Sequence, residues 1–182
     1  MTTFALARER STLHTAAGIA GFAVALAAAS QVAIPLPGTP VPITLTPLVV
    51  VLAGLWLGPM AGAASMTLFL LAGAAGLPVF APMGLPGIAR LVGPTGGYLL
   101  AYPAAAFVAG WLGLRASGLT TRSLAAFAGM LVIYLGGVSQ IAVLTGSLSQ
   151  AVVLGAVPFI ALDAVKAIVA AAIAPRRSPP AA

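Results

Sequence analysis

Cysteine is absent from the 182 residues, which excludes disulfides, thiolate chemistry, zinc–cysteine sites and palmitoylation. Charge is almost as scarce: Asp and Glu number 2, Lys and Arg 8, and there is a single histidine, His14. Charged residues make up 5% of the chain and hydrophobic ones 61%, whereas soluble domains carry about 25% and 45–50%. With a mean hydropathy of +1.14, this is the composition of an integral membrane protein embedded in a lipid bilayer. The shortage of polar side chains also thins any catalytic inventory. There is no second intramembrane carboxylate and no H-E-x-x-H spacing, so the reading is no enzyme, no catalytic residue, no metal and no cofactor. The pI of about 11.3 does not imply nucleic acid, because the basic residues sit singly or in pairs at the ends of apolar segments, where they report topology.

Apolar runs recur at about 13–33, 45–57, 60–77, 95–114, 124–144 and 151–174. They predict an all-α fold, a single six-transmembrane-helix domain spanning 1–182 with structured outer loops and no room for a soluble domain. The arginines ahead of the first run, with Ala27-Ala28-Ala29 near its end, also fit a secretory signal, although the run exceeds the usual core of about 7–15 residues. Within it Ala17, Gly21, Ala25 and Ala29 recur at every fourth position and make a smooth face for close helix approach. That face suits internal packing and an external partner equally.

The first connection contains Pro35, Pro37, Pro40 and Pro42, which forbid helix and favour a stiff extended loop, either a lid or a plain connection. Gly58-Pro59 marks a tight hairpin. Residues 76–98 are rich in Gly and Pro yet apolar, the pattern of a structured loop, and Arg90 is their one charge. Gly93-Pro94-Thr95-Gly96-Gly97 is not a phosphate loop, since no Gly-Lys-Ser/Thr follows and no strand precedes it. It reads as a helix start capped by Thr95, with glycines for close approach. Tyr98 and Tyr102 share a helix face, as an interfacial belt or as a wall for a ring. Gln140 and Ser139 read as interhelical bonding groups.

The least probable feature is a carboxylate and an ammonium inside the last apolar run, Asp163 and Lys166. A charge at the bilayer centre costs at least ~2.5–3.5 kcal/mol, so such groups face a bundle interior or a cavity. The i, i+3 spacing puts both on one helix face, as a structural ion pair or as part of a site. Six spans with the N-terminus inside place Arg8, Arg10, Arg115, Arg122, Arg176 and Arg177 on the cytoplasmic side and Arg90 alone outside, a strong positive-inside bias. Both termini are then cytoplasmic, in a multi-pass protein of the cell membrane. Arg90, unless it is a headgroup anchor, joins Asp163 and Lys166 around an outward-opening pocket for a small, largely apolar ligand with an anionic group and hydrogen-bonding amides. A stand-alone secondary transporter of a small anionic solute, with Asp163 as proton relay, is the rival reading.

Ile34-Pro35-Leu36-Pro37, Val41-Pro42-Ile43-Thr44-Leu45, Gly76-Leu77-Pro78-Val79-Phe80, Gly93-Pro94-Thr95-Gly96-Gly97-Tyr98, and Asp163 with Lys166 together resemble the BioY family. Its members are biotin-binding membrane subunits (S components) of energy-coupling factor (ECF) transporters, and the resemblance runs along essentially the whole chain. It implies that biotin is captured from outside beneath the first and third loops, and that a transmembrane coupling subunit and cytoplasmic ATPase subunits are the partners, with ATP used by those subunits. It further implies that Asp163 accepts from ureido N–H groups, that Lys166 and Arg90 donate to the ureido oxygen or the valerate, that Tyr98 lines the ring site, and that the face of Ala17, Gly21, Ala25 and Ala29 meets the coupling subunit. Thr46 stands where the family usually has Gln, and Ala81 where some relatives have a polar side chain.

Overall fold

A computed structural model describes the backbone of residues 2–175 and the side chains of 12–175. The side chains of Arg8 and Arg10, and the whole of Arg176 and Arg177, lie outside the described residues, so the charge count rests in part on positions beyond them. In chain order come α1 (Thr2–Gln31), strands β1 (Ala33–Ile34) and β2 (Ile43–Thr44), α2 (Thr46–Leu57), α3 (Pro59–Ala74), the single turn α4 (Ala89–Val92), α5 (Gly96–Gly113), α6 (Leu119–Thr145), α7 (Leu148–Gly155) and α8 (Ile160–Ile173). The fold is all-α, a membrane bundle with two long ordered loops. Thr12–Gln31 and Leu119–Thr145 are each long and apolar enough to cross a bilayer unaided, and α7 with α8 forms a third such stretch bent by 56°.

The packing is inside-out relative to a soluble domain. Leu71, Leu131, Leu135, Val143 and Val165 are exposed, while Ala105, Ala106, Ala109, Ala167, Ala170 and Ala171 are buried. Small residues belong in the interior because close backbone approach, not a hydrophobic driving force, holds helices together in lipid. At the α5–α6 seam a Cβ on Gly136 would stand 2.5 Å from the carbonyl oxygen of Gly97, so neither helix tolerates a side chain there. Polar exceptions are paired: the buried Ser65 hydroxyl donates to Ile19 O across α3 and α1 at 2.8 Å.

The Gly-Pro hairpin forms as the sequence indicates. Gly58 has φ 91° and ψ 177°, a conformation for glycine alone. Its N–H closes α2 onto Gly54 O, and Pro59 starts α3. The first connection does not become helix. Its ends pair as a two-residue antiparallel ladder, Ala33 opposite Thr44 and Ile34 opposite Ile43, leaving the proline segment as the loop between them, here loop 1.

Two expectations are corrected. The run at 151–174 is not one helix, because Pro158 has no N–H for an i→i−4 bond, and α7 ends at Gly155. Thr95 does not cap α5 with its side chain. Its backbone is helical, φ −95° and ψ −3°, instead of the extended form from which an N-cap hydroxyl reaches back.

Candidate functional site

A partly open cavity lies among the helices under the loops. Every leg of the bundle contributes: Ser30 from α1, Thr46 from α2, Phe69 from α3, Tyr98 and Tyr102 from α5, Tyr134 from α6, and Asp163 and Lys166 from α8. Loop 1 adds Val41 and Pro42, β2 adds Thr44, and the segment between α3 and α5, here loop 3, adds Phe80, Ala81, Arg90 and Thr95. Arg90, Tyr98, Asp163 and Lys166, far apart in sequence, therefore share one chamber.

At its heart is the one ion pair among the described residues. Lys166 Nζ donates to Asp163 Oδ1 at 2.6 Å, and the two side chains are 11% and 9% exposed, respectively. The other carboxylate oxygen, Oδ2, accepts from the Tyr134 hydroxyl at 2.5 Å. This is more than a bare pair of charges, because the phenol satisfies the second oxygen and lowers the penalty of burial.

A second polar string runs along the α2 side. Thr44 and Thr46 hydroxyls lie 2.6 Å apart, and Thr46 Oγ1 is 2.8 Å from Tyr102 Oη. Thr46, one of the two departures from the family pattern, is thus part of the wall. Among the described residues no buried side-chain nitrogen or oxygen lacks a partner, so an incoming ligand must exchange bonds with groups that already satisfy each other.

Arg90 sits in the chamber wall with 6% exposure, which argues against a role as a headgroup anchor. Its Nη1 donates to Met83 O and its Nη2 to Ala81 O at 2.9 Å, so it also ties together the loop that carries it. Burial lowers its pKa from the ordinary guanidinium value, yet an arginine so placed stays cationic at physiological pH. Ala81, the other departure, lines the chamber and accepts from Arg90 through its carbonyl. A second cavity on the loop side shares Arg90, Pro42 and Thr95 with the chamber, which puts Arg90 between the loops and the helix interior.

Tyr98 turns its ring to the chamber, with its side chain occupying the space a Cβ on Gly137 would need. Its hydroxyl donates to Gly155 O at 2.6 Å. With Tyr102 on the same wall, the pair belongs to the chamber and not to an interfacial belt. Phe80 stacks edge-on against Phe69, with centroids 5.4 Å apart, and Phe159 completes the aromatic lining.

Loop 3 is bound to the end of α1. The Ser30 hydroxyl donates to Val79 O, and Gln31 Nε2 reaches Phe80 O at 3.1 Å and Pro78 O at 3.3 Å. Gln140 likewise donates to Gly93 O at 2.6 Å and to Leu91 O at 3.1 Å, so it holds loop 3 and not another membrane helix. Ser139 is exposed.

The face of α1 carrying Ala17, Gly21, Ala25 and Ala29 is not the one that packs inward. Ala17, Gly21 and Ala25 are exposed and Ala29 is half-buried, whereas Ala23, Leu26 and Ser30 are buried. A Cβ on Gly21 would meet nothing within 4 Å. Internal packing therefore does not account for this row.

Sequence reasoning missed Tyr134, Ser30 and Gln31. Tyr134 had a signal: among apolar helix positions it carries a hydroxyl that a membrane interior obliges to find a partner. Ser30 and Gln31 gave none, since polar residues commonly end a span.

A membrane bundle whose helices and loops line a largely apolar chamber carrying Asp163, Lys166 and Arg90 defines a solute-binding membrane protein. The chain belongs to the BioY family, whose sequence profile matches residues 5–181. Among its relatives, a probable biotin transporter BioY of Pyrococcus horikoshii is 47% identical over 137 residues, 75% of this chain and 80% of that protein. The biotin transporter BioY of Thermotoga maritima is 38% identical over 143 residues, 79% of this chain and 84% of that one. A crystal structure at 2.1 Å of the S-component for biotin from an ECF-type ABC transporter matches with a TM-score of 0.83 and 25% identity, covering 91% of this chain and 90% of that chain.

Proposed function

We propose that this chain captures biotin and takes part in its uptake as the substrate-binding membrane subunit of an ECF-type, ATP-driven transporter. The observation that carries the reading is the chamber in which Asp163, Lys166 and Tyr134 form one hydrogen-bonded cluster beneath aromatic walls and two loops. Biotin has a compact bicycle with an apolar sulfur side, a urea edge that both donates and accepts, and an anionic tail. Asp163 accepts from the ureido N–H groups. Lys166 and Tyr134, already beside it, donate to the ureido oxygen. Arg90, at the boundary with the loop-side cavity, takes the valerate carboxylate, which keeps the charged tail toward the mouth and the neutral bicycle deep. Tyr98 and Tyr102 wall the ring, and a ligand lacking one polar edge leaves a buried group unpaired.

The outward row of Ala17, Gly21, Ala25 and Ala29 meets the transmembrane coupling subunit, and cytoplasmic ATPase subunits supply the energy. The protein resides in the cell membrane with both termini cytoplasmic and the two loops outside. Labelled-biotin binding to the detergent-purified chain tests the core of this reading. Tight, saturable, pH-insensitive binding is expected; no binding would sink it, and binding coupled to proton uptake would favour the Asp163 relay.

A further inference from the structure

The break in the sixth leg leaves two main-chain carbonyls without backbone donors, and parts of the site occupy both. In a continuous helix the N–H of residue 158 would bond Leu154 O and that of 159 would bond Gly155 O. Pro158 has no N–H to give, and Phe159 N–H donates to Ala156 O at 2.9 Å instead. Leu154 O accepts the hydroxyl of Thr39 in loop 1 at 2.6 Å, while Gly155 O accepts that of Tyr98. Thr39 is itself oriented, because the Val41 N–H donates to its Oγ1 at 3.1 Å. Val41 and the next residue, Pro42, belong to the chamber lining. The tether joins residues 115 apart in sequence, and it is the one side-chain hydrogen bond from the proline segment to a helix among the described residues.

We propose that Thr39 is a positioning residue for ligand retention: its hydroxyl fastens loop 1 to the acceptor that Pro158 leaves open, and this fastening sets how fast a bound ligand escapes. The ligand part rests on the biotin reading above; the fastening is a property of the loop. Thr39 lines the loop-side cavity and not the chamber itself, so its loss raises the dissociation rate and leaves the interactions inside the chamber as they are. One neutral hydrogen bond corresponds to about a fivefold change.

The purified full chain lacks cysteine, which permits two independent readouts. In the first, release of labelled biotin is timed: Thr39→Val is expected to dissociate about fivefold faster, with Thr39→Ser restored to the wild-type rate. Pro158→Ala supplies a competing N–H for Leu154 O, so Thr39→Val adds nothing further in that background. In the second, Ile133→Cys, buried in the chamber wall, is labelled with a thiol reagent in the absence of ligand. Its labelling is expected to quicken with Thr39→Val and to recover with Thr39→Ser. Unchanged dissociation and labelling in Thr39→Val, or effects that multiply in the double variant, overturn the proposal. If the wild-type chain binds no biotin, the functional reading fails on its own, and the labelling rates still decide whether loop 1 is fastened in this way.

Discussion

Asp163 is read by three groups at once: a cation, a phenol and the void beside them. Replacing it with Asn keeps the shape and removes the charge, so Asp163→Asn is expected to lower biotin affinity about 10- to 100-fold, the loss expected for a hydrogen bond to a charged acceptor worth about 1.5–3 kcal/mol. Lys166→Met should do the same, with membrane insertion intact in both. Tyr134→Phe, which removes only the donor to Oδ2, should weaken binding about tenfold. Equilibrium binding of labelled biotin checks all three, and wild-type affinity in the first two would leave the pair a purely architectural role. The charges were legible in the sequence because their presence in a lipid-embedded segment demands explanation. Tyr134 was not, since aromatics are ordinary in such helices and its partner lies 29 positions away. Thr95 misled because a threonine before two glycines looks like a cap, whereas here it faces the chamber.

At the level of helices and loops, hydropathy located the legs and Gly58-Pro59 located a hairpin, because both signals are local. Pro158 was equally visible, yet the continuous apolar run around it masked its effect, and the bend follows from one missing donor. The two ends of the sixth leg are secured differently. At the far end the buried Arg122 donates from Nη1 to Ala174 O at 2.5 Å, where a cation also suits the negative end of α8. Arg122→Met should therefore lower the thermal denaturation midpoint in detergent, reflecting a loss of about 1.5–3 kcal/mol, while the folded variant still binds biotin. For α1 the expectation is reversed: Ala25→Leu adds bulk on an exposed face and should spare both folding and biotin binding. It should impair uptake in cells that carry the partner subunits. If Ala25→Leu abolished binding by the lone chain, the row would belong to the chain's own packing after all.

For the molecule as a whole, the exposed surface is apolar along the legs, as contact with lipid requires. Trp56 near the end of α2 and Trp111 near the end of α5 lie toward the end opposite the loops. The guanidinium of Arg115 lies 5.2 Å from the Trp111 ring there, a grouping suited to the headgroup level. Reconstituted alone in vesicles, the chain is expected to bind about one equivalent of biotin without concentrating it. Accumulation should need the coupling and ATPase subunits together with ATP. Accumulation by the lone chain under an imposed proton gradient would instead favour the relay reading.

The seam where Gly97 meets Gly136 has a consequence for how this chamber selects. Two helices packed backbone to backbone have little room to separate, so in the proposed pose the wall carrying Tyr98, Tyr102 and Tyr134 is expected to act as a fixed mould while the loops in front adjust. Imitators differing at the ring should be refused outright, whereas those altered along the flexible tail should meet a forgiving side and be tolerated by degrees.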